Sequence, residues 1–460
     1  MIEPMEPLRR VWHKLIPLPV KYGSEFRRTL KFLRESQRRS REEIEDYQWQ
    51  RLRALVAYAY EHVPYYRRTF DRAGIHPQDV KTRDDFRRIP VLYKEDVVDN
   101  FDSLRSDEFD KLAPISTVTG SSTRDGLRLY RSGHSEVFRK AVVWRHFFNI
   151  GYRFRDRRAQ LTVPFRFARS MLEMPVDHNE NILMIDPRAI TVDFAPQIHR
   201  RLQVFRPKML FCQPSNAVIL AEYCKQIGLP SLSIPIIYVL GEKLYPEYSE
   251  IITDYFGGRI VQFYGNRENT ASAGELEDGR IYIHADFCYL EFESTEGEPL
   301  LGRPADIIST ALENYAFPLI RYHTEDVGVL RGHPDGAVRS FPVMEIIGGR
   351  GKDLLLTRNG LILPQTNPFL KSIQFDRYKR IQLEQKSLDD LIVRIVPTSA
   401  FDADSDMRLL ESSFTQYFEG QFKITVEVVD EISRTSAGKN RYVISDLAIS
   451  HLRQSLSRKK

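Results

Sequence analysis

Apolar residues between positions 24 and 60 return at helical spacing, most clearly at Leu52, Leu55, Val56, Ala59 and Tyr60, in a run rich in helix formers. The next segment, HVPYYRRTFDRAGI (62–75), has a proline break and a glycine stop, which predicts two helices around a short bend. From about 112 to 345 the pattern changes. Short β-rich runs alternate with helical stretches: KMLFCQP (208–214), NAVILAEYCKQIG (216–228), IPIIYVLGEK (234–243), a helical 244–256 and RIVQFYG (259–265). Strands alternating with helices of about a dozen residues predict βαβ units and a buried parallel sheet. RIYIHA (280–285), CYLEFES (288–294) and ADIISTAL (305–312) then read as antiparallel strands. The glycine-rich GGRGKD (348–353) leads into a compact β/α tail, so a domain boundary is expected near 350.

Length and composition narrow the class. A chain of 460 residues is too long for one ordinary core, so a large domain plus a smaller one is expected. A net charge of +5 is mild for this length, and scattered Lys and Arg describe a solvated surface better than a nucleic-acid footprint. The three cysteines, Cys212, Cys224 and Cys288, form no CxxC pair, which suits a reducing compartment and a cytoplasmic protein. Cys288 follows His284 by four residues, yet no set of four ligands at metal spacing accompanies them, so a core role is expected. No apolar run reaches the length of a membrane span, and the first residues lack the apolar stretch of a secretory signal. Residues 1–40 carry ten Lys or Arg against four Asp or Glu, with Trp12, Leu15, Ile16 and Leu18 nearby. Weak peripheral membrane contact and an arm packed on its own domain are both open readings of that segment.

Five segments carry candidate chemistry. TVTGSSTRDGLRLY (117–130) is small and hydroxyl-rich, so its backbone N–H groups and hydroxyls can approach phosphate oxygens; an ordinary turn has the same letters. YVLGEKL (238–244) is an apolar strand ending in Gly241-Glu242, where open α/β sheets bind ligands, or a plain strand-to-helix turn. In FYGNRENT (263–270), Tyr264 can stack on a flat base, Gly265 permits close backbone approach and Glu268 offers a hard oxygen ligand for Mg²⁺, although a surface loop reads alike. In FPLIRYHTEDVG (317–328), Asp326 follows a β-like run and can accept both hydroxyls of a ribose, as a turn Asp also would. SRTSAGKNRY (433–442) places Lys439 in a loop beside a glycine, within reach of a phosphate or simply in solvent.

Taken in order, these segments resemble the adenylate-forming superfamily, in particular its phenylacetate–CoA ligase-like group and the capsular-polysaccharide-biosynthesis (CapK-like) branch. REEIEDYQWQRLRALVAYAYEHVPYYRRTFDRAGI (41–75) and LRLYRS (127–132) look like that branch, and the resemblance covers essentially the whole chain. It implies an α/β fold with a large N-terminal adenylate-forming domain of mixed and parallel sheets and a small mobile α+β C-terminal domain. In numbers, a helical segment 1–110 would pack on a nucleotide- and acid-binding core 111–350, with a lid at 351–460. The resemblance puts Thr119, Gly120, Ser121, Ser122 and Thr123 on the β- and γ-phosphates. It places Gly241 and Glu242 along the adenine, with Tyr264 and Gly265 beside it. Glu268 would hold Mg²⁺, Asp326 the ribose, and Arg350 ribose or phosphate. Lys439 would stabilise the forming acyl-phosphate, and Lys352 and Asp353 would form the hinge.

The reaction so implied is activation of a carboxylic acid by ATP to an acyl-AMP, followed by transfer to coenzyme A. Transfer to an amine is the alternative acceptor chemistry, and a non-catalytic ATP-binding relative is a third reading. That third reading is motivated by the loop itself: TGSSTRDGL has Arg124 and Asp125 where the family usually has a second glycine, and no proline. Thr324-Glu325-Asp326 likewise stands where the family often has Thr-Gly-Asp, adding a negative charge near a polyphosphate. A P-loop NTPase is disfavoured because no GxxxxGK[ST] occurs. The acid pocket is expected along residues 163–173 and the strand before Gly241. There Phe165 and Phe167 would suit an aromatic or fatty chain, and Arg166 or Arg169 a second anionic group.

Overall fold

A computed structural model describes residues 22–118, 127–162, 172–294, 298–348, 355–358, 362–363, 377–418, 420–432, 443–445 and 447. The chain enters through helices α1 (Gly23–Ser36), α2 (Arg41–His62) and α3 (Pro64–Ala73), followed by the short α4 (Arg83–Arg87) and α5 (Lys94–Asp99). The continuous helical pattern of 24–60 is therefore interrupted. Ser40 adopts an extended conformation, its hydroxyl accepts from the Glu43 N–H, and the Glu43 carboxylate accepts from the Ser40 N–H. That reciprocal capping box starts a new helix inside what reads as one run. The expected bend at 62–75 is present: Pro64 opens α3 and Gly74 closes it at φ +62°.

Next come the hairpin β1 (Ile115–Val118) and β2 (Arg128–Arg131), then α6 (Gly133–Asn149). The alternating part follows as β3 (Arg158–Leu161), β4 (Val176–Asp177), β5 (Ile182–Ile185), α7 (Ala195–Phe205), β6 (Met209–Cys212), α8 (Pro214–Gln226), β7 (Ile236–Leu240), α9 (Pro246–Phe256) and β8 (Arg259–Gly265). Strands β5, β3, β6, β7 and β8 are parallel neighbours. Both faces of this sheet are covered, as a parallel sheet requires. Leu210, Cys212, Ile237 and Val239 point into a core with α7, α8 and α9. Their alternates Met209, Ile236, Tyr238 and Val261 point into a second core with α1 and α6. The period of two reads directly as inside and inside again.

Beyond β8 the sheet turns antiparallel through β9 (Ser272–Glu275), β10 (Ile281–Ile283), β11 (Cys288–Glu293), β12 (Pro304–Ala311), β13 (Tyr322–Gly332) and β14 (Val343–Gly348). All twelve strands join in the order β11-β12-β13-β14-β10-β9-β8-β7-β6-β3-β5-β4. β15 (Leu355–Leu356) and β16 (Ile362–Leu363) form a small ribbon. A separate four-stranded sheet, β19-β18-β17-β20, is built from β17 (Tyr378–Gln385), β18 (Asp390–Pro397), β19 (Lys423–Val428) and β20 (Val443–Ile444), with α10 (Ala403–Tyr417) packed on it. It has its own core of Leu383, Leu391, Val393, Ile395, Leu410 and Phe414. Among the described residues no helix is long and apolar enough to cross a membrane.

Buried His146 ties α6 to the sheet, and buried His284 packs beside it. His146 pairs its Nδ1 with the Tyr238 hydroxyl at 3.0 Å and its Nε2 with the Glu275 carbonyl at 2.9 Å. His284 shares a 2.8 Å hydrogen bond with Ser272. Gly274 is required here, because a Cβ on it would come within 2.5 Å of the His146 ring. Burial depresses the His146 pKa from 6.5 to about 4, so the folded state holds a neutral ring where the unfolded chain binds a proton. This contribution is intact above pH 6.5 and is lost as pH falls toward 4, to the extent of about 3 kcal/mol at about 1.4 kcal/mol per unit. Urea unfolding of His146→Gln between pH 6.5 and 4 should accordingly show a shallower fall in stability than the parent chain. An unchanged slope would remove His146 from the acid response.

Candidate active site

The carboxyl ends of β7 and β8 lie side by side, Leu240 opposite Phe263, so the Gly241-Glu242 turn is neighbour to Tyr264-Gly265 at the end of β8. Gly241 sits at φ +79°, a conformation that costs a residue with a Cβ free energy. The Glu242 carboxylate accepts from the Ser215 N–H at 3.1 Å, at the N-terminal end of α8. Its charge suits the positive end of that helix and fixes the β7 turn against it.

The loop after Gly265 is held by Asn266. Its Oδ1 accepts from the Thr270 and Ala271 N–H groups at 2.9 and 3.1 Å, and its Nδ2 donates to the Thr270 hydroxyl at 2.7 Å. The Ser309 hydroxyl reaches Thr270 from β12 at 2.6 Å. Half-buried Glu268 is presented on this braced loop, and the Tyr322 hydroxyl donates to its Oε1 at 3.3 Å.

Asp326 comes from the other half of the sheet. It lies inside β13, where the sequence suggested a position after a strand. Glu325 before it takes the left-handed region at φ +61°, and the pairing of β12 with β13 is irregular between Asp306 and Ile308. The Thr324 hydroxyl braces the kink, donating to the Ile307 carbonyl at 2.8 Å and accepting from the Asp326 N–H at 3.1 Å. The Tyr264 hydroxyl then donates to Asp326 Oδ2 at 3.1 Å. Burial, followed by the Asp326 charge, raises the Tyr264 pKa well above 10, so the phenol stays a donor.

That contact requires the sheet to curl. Four strand spacings separate β8 from β13, about 19 Å in a flat sheet. Two independent pairs, Tyr264–Asp326 and Tyr322–Glu268, instead bridge them at hydrogen-bond distance. Gly241, Tyr264, Gly265, Glu268 and Asp326 therefore surround one place, although the sequence spreads them over more than eighty positions. Tyr322 and Asn266 were not singled out from sequence. The even spacing of Tyr322 and Asp326 along a strand is the signal that places both on one face.

Among the described residues no group of three or more His, Cys, Asp or Glu gathers as a metal cage. A lone carboxylate at Glu268 fits Mg²⁺, which is held by one or two carboxylates together with substrate phosphates and water. His284 and Cys288 behave as core residues: the Cys288 thiol lies 3.7 Å from the Ser272 carbonyl, and burial lifts its pKa to about 12. Thr119, Gly120, Ser121, Ser122, Thr123, Arg350, Lys352, Asp353 and Lys439 lie outside the described residues, as do Phe165, Arg166, Phe167 and Arg169.

The curled twelve-stranded sheet and the small α+β unit after it are similar in fold to a solved adenylate-forming CoA ligase. A 2-hydroxyisobutyryl-CoA ligase, solved with 2-HIB-AMP and CoA, superposes with a TM-score of 0.63 at 20% identity, covering 92% of this chain and 94% of that one. In sequence, the phenylacetate-coenzyme A ligase of Thermus thermophilus is 25% identical over 437 residues, 88% of this chain and 97% of the relative. Protein CapK of Staphylococcus aureus is 21% identical over 436 residues, 93% and 94% of the two chains. Residues 365–446 match the CapK C-terminal domain family. Over most of its length the chain is therefore similar to a phenylacetate-coenzyme A ligase and to protein CapK.

Proposed function

We propose that this protein joins a carboxylic acid to coenzyme A through an acyl-AMP, consuming ATP. The observation that carries this reading is the pairing of Tyr264 with Asp326 at 3.1 Å beside Glu268, at the carboxyl end of the parallel strands. A flat aromatic ring, a ribose-sized carboxylate acceptor and a hard oxygen ligand in one place suit the base, sugar and phosphates of a nucleotide. The substrate carboxylate attacks the α-phosphorus, the bond to the β-phosphate breaks, and pyrophosphate leaves. The CoA thiolate then attacks the acyl carbonyl and AMP departs.

In this reading Asp326 accepts from the ribose hydroxyls, Tyr264 and the Gly241-Glu242 turn flank the adenine, and residues 119–123 donate to the β- and γ-phosphates. Glu268 would hold Mg²⁺, which when bound would supply positive charge beside the phosphates. Lys439 and Arg350 complete the site from the C-terminal side, with residues 351–460 as a lid hinged at Lys352 and Asp353. The chemistry is positioning and charge stabilisation rather than covalent catalysis. In this reading the acid enters along 163–173 and β7, and Phe165 and Phe167 suit an aromatic or apolar acid. Three free, buried cysteines fit a cytoplasmic setting.

The test is a panel of carboxylic acids assayed for pyrophosphate release, with acyl-AMP then offered to CoA and to amines. Release with an apolar or aromatic acid and a thioester product are expected. An amide product would move the acceptor to an amine, a reading that the likeness to CapK keeps in view. Bound ATP with no release across the panel would point instead to a non-catalytic relative.

A further inference from the structure

The hairpin β1–β2 brackets the hydroxyl-rich loop, leaving it at Val118 and regaining the sheet at Leu127–Arg131. Arg131, at the end of β2, is only 14% exposed along its side chain. Its Nη1 donates to Glu136 Oε2 at 3.1 Å in the first turn of α6. Its Nη2 donates to the main-chain carbonyl of Arg267, the residue immediately before Glu268. The Arg267 side chain reaches back, Nη1 donating to the Val118 carbonyl at 3.5 Å. Both edges of the hydroxyl-rich segment are thus laced to the one loop that presents Glu268.

Two further observations concern charge. Arg131 feels the Glu268 carboxylate, and burial, the largest effect on it, lowers its pKa from 12.5. A guanidinium keeps its proton even so. Its Nε is buried without an acceptor among the described residues. A desolvated cation beside the loop that presents Glu268 is where a polyanion gains most.

We propose that Arg131 is a positioning residue of the triphosphate side of this site, fixing the Glu268 loop to the β1–β2 hairpin and setting positive charge toward the β- and γ-phosphates of a nucleoside triphosphate. It rests on the reading that a nucleotide binds here, and it divides the labour: Tyr264 and Asp326 serve the adenosine half, Arg131 the half that leaves as pyrophosphate.

The division is testable on the full chain without knowing the acid, by calorimetric titration with MgATP and, separately, AMP. Arg131→Ala should weaken MgATP by roughly tenfold, the scale of one charge-assisted hydrogen bond, while AMP stays within about twofold. Arg131→Lys, which keeps charge but not the fork, should fall between parent and Ala. Arg131→Gln can still donate to the Arg267 carbonyl and so separates tether from charge; it also serves if the Ala variant fails to fold. Exposed Arg128, two residues away on the same strand, is the control, and Arg128→Ala should alter neither ligand. Equal weakening of both nucleotides by the Arg131 variants, or no change in either, overturns the assignment. A parent chain that binds neither nucleotide overturns the underlying reading as well, so the two failures are distinguishable.

Discussion

Lys439→Ala is expected to lower acid-dependent ATP–pyrophosphate exchange by about two to three orders of magnitude while leaving MgATP binding within a few-fold of the parent. The asymmetry follows from where charge develops. As the carboxylate attacks, negative charge builds on the oxygens around the α-phosphorus. A cation that meets those oxygens only at that moment lowers the barrier without holding the ground state. Lys439 falls within the stretch that matches the CapK C-terminal domain family, more than a hundred positions after Asp326 in the sequence. Transfer from supplied acyl-AMP to CoA should be much less affected, because that step needs no charge on a departing pyrophosphate. Near-normal exchange in the Ala variant would remove Lys439 from the chemistry.

The largest expected loss of stability is at Arg145. Its side chain is 1% exposed and pairs with Asp286, which is fully buried. The Ser36 hydroxyl also donates to Asp286, and Arg145 Nη1 donates to the Leu33 carbonyl at 3.3 Å, so the pair joins α6, α1 and the turn before β11. Arg145→Ala would strand a carboxylate in the core, at a cost of about 3–5 kcal/mol. The pair is not fully satisfied, since Arg145 Nη2 and Asp286 Oδ1 lack hydrogen-bond partners among the described residues. Replacing both residues together by apolar side chains of similar volume should therefore destabilise less than the single change. Urea unfolding of the single and double variants checks this. A single-variant loss below about 1 kcal/mol would show that water reaches the pair.

The alternation of strands and helices between 208 and 265 could be read from the chain because a parallel sheet covered on both faces needs continuous apolar strands. The break at Ser40 was obscured for the opposite reason: helical spacing continues through the polar run that holds the cap. Gly241, Tyr264 and Glu268 were legible because each sits at or just after the end of an obvious strand. Asp326 was legible as a candidate, but its place inside β13 was not, since the kink depends on Thr324 bonding to β12. What no local pattern carries is the curl that joins Tyr264 to Asp326 across four strand spacings. For the same reason Arg131 looked like one more surface arginine. Its partners, Arg267 and Glu136, are set by the sheet and by α6, not by neighbours in sequence.

A crystal structure of the full chain with a stable acyl-AMP mimic addresses the central claim most directly. The base should lie against Tyr264 and the Gly241-Glu242 turn, with the ribose hydroxyls on Asp326 and the acyl group running along β7. A mimic bound elsewhere, with the Tyr264–Asp326 hydrogen bond undisturbed and no ligand atom near Glu268, would contradict it.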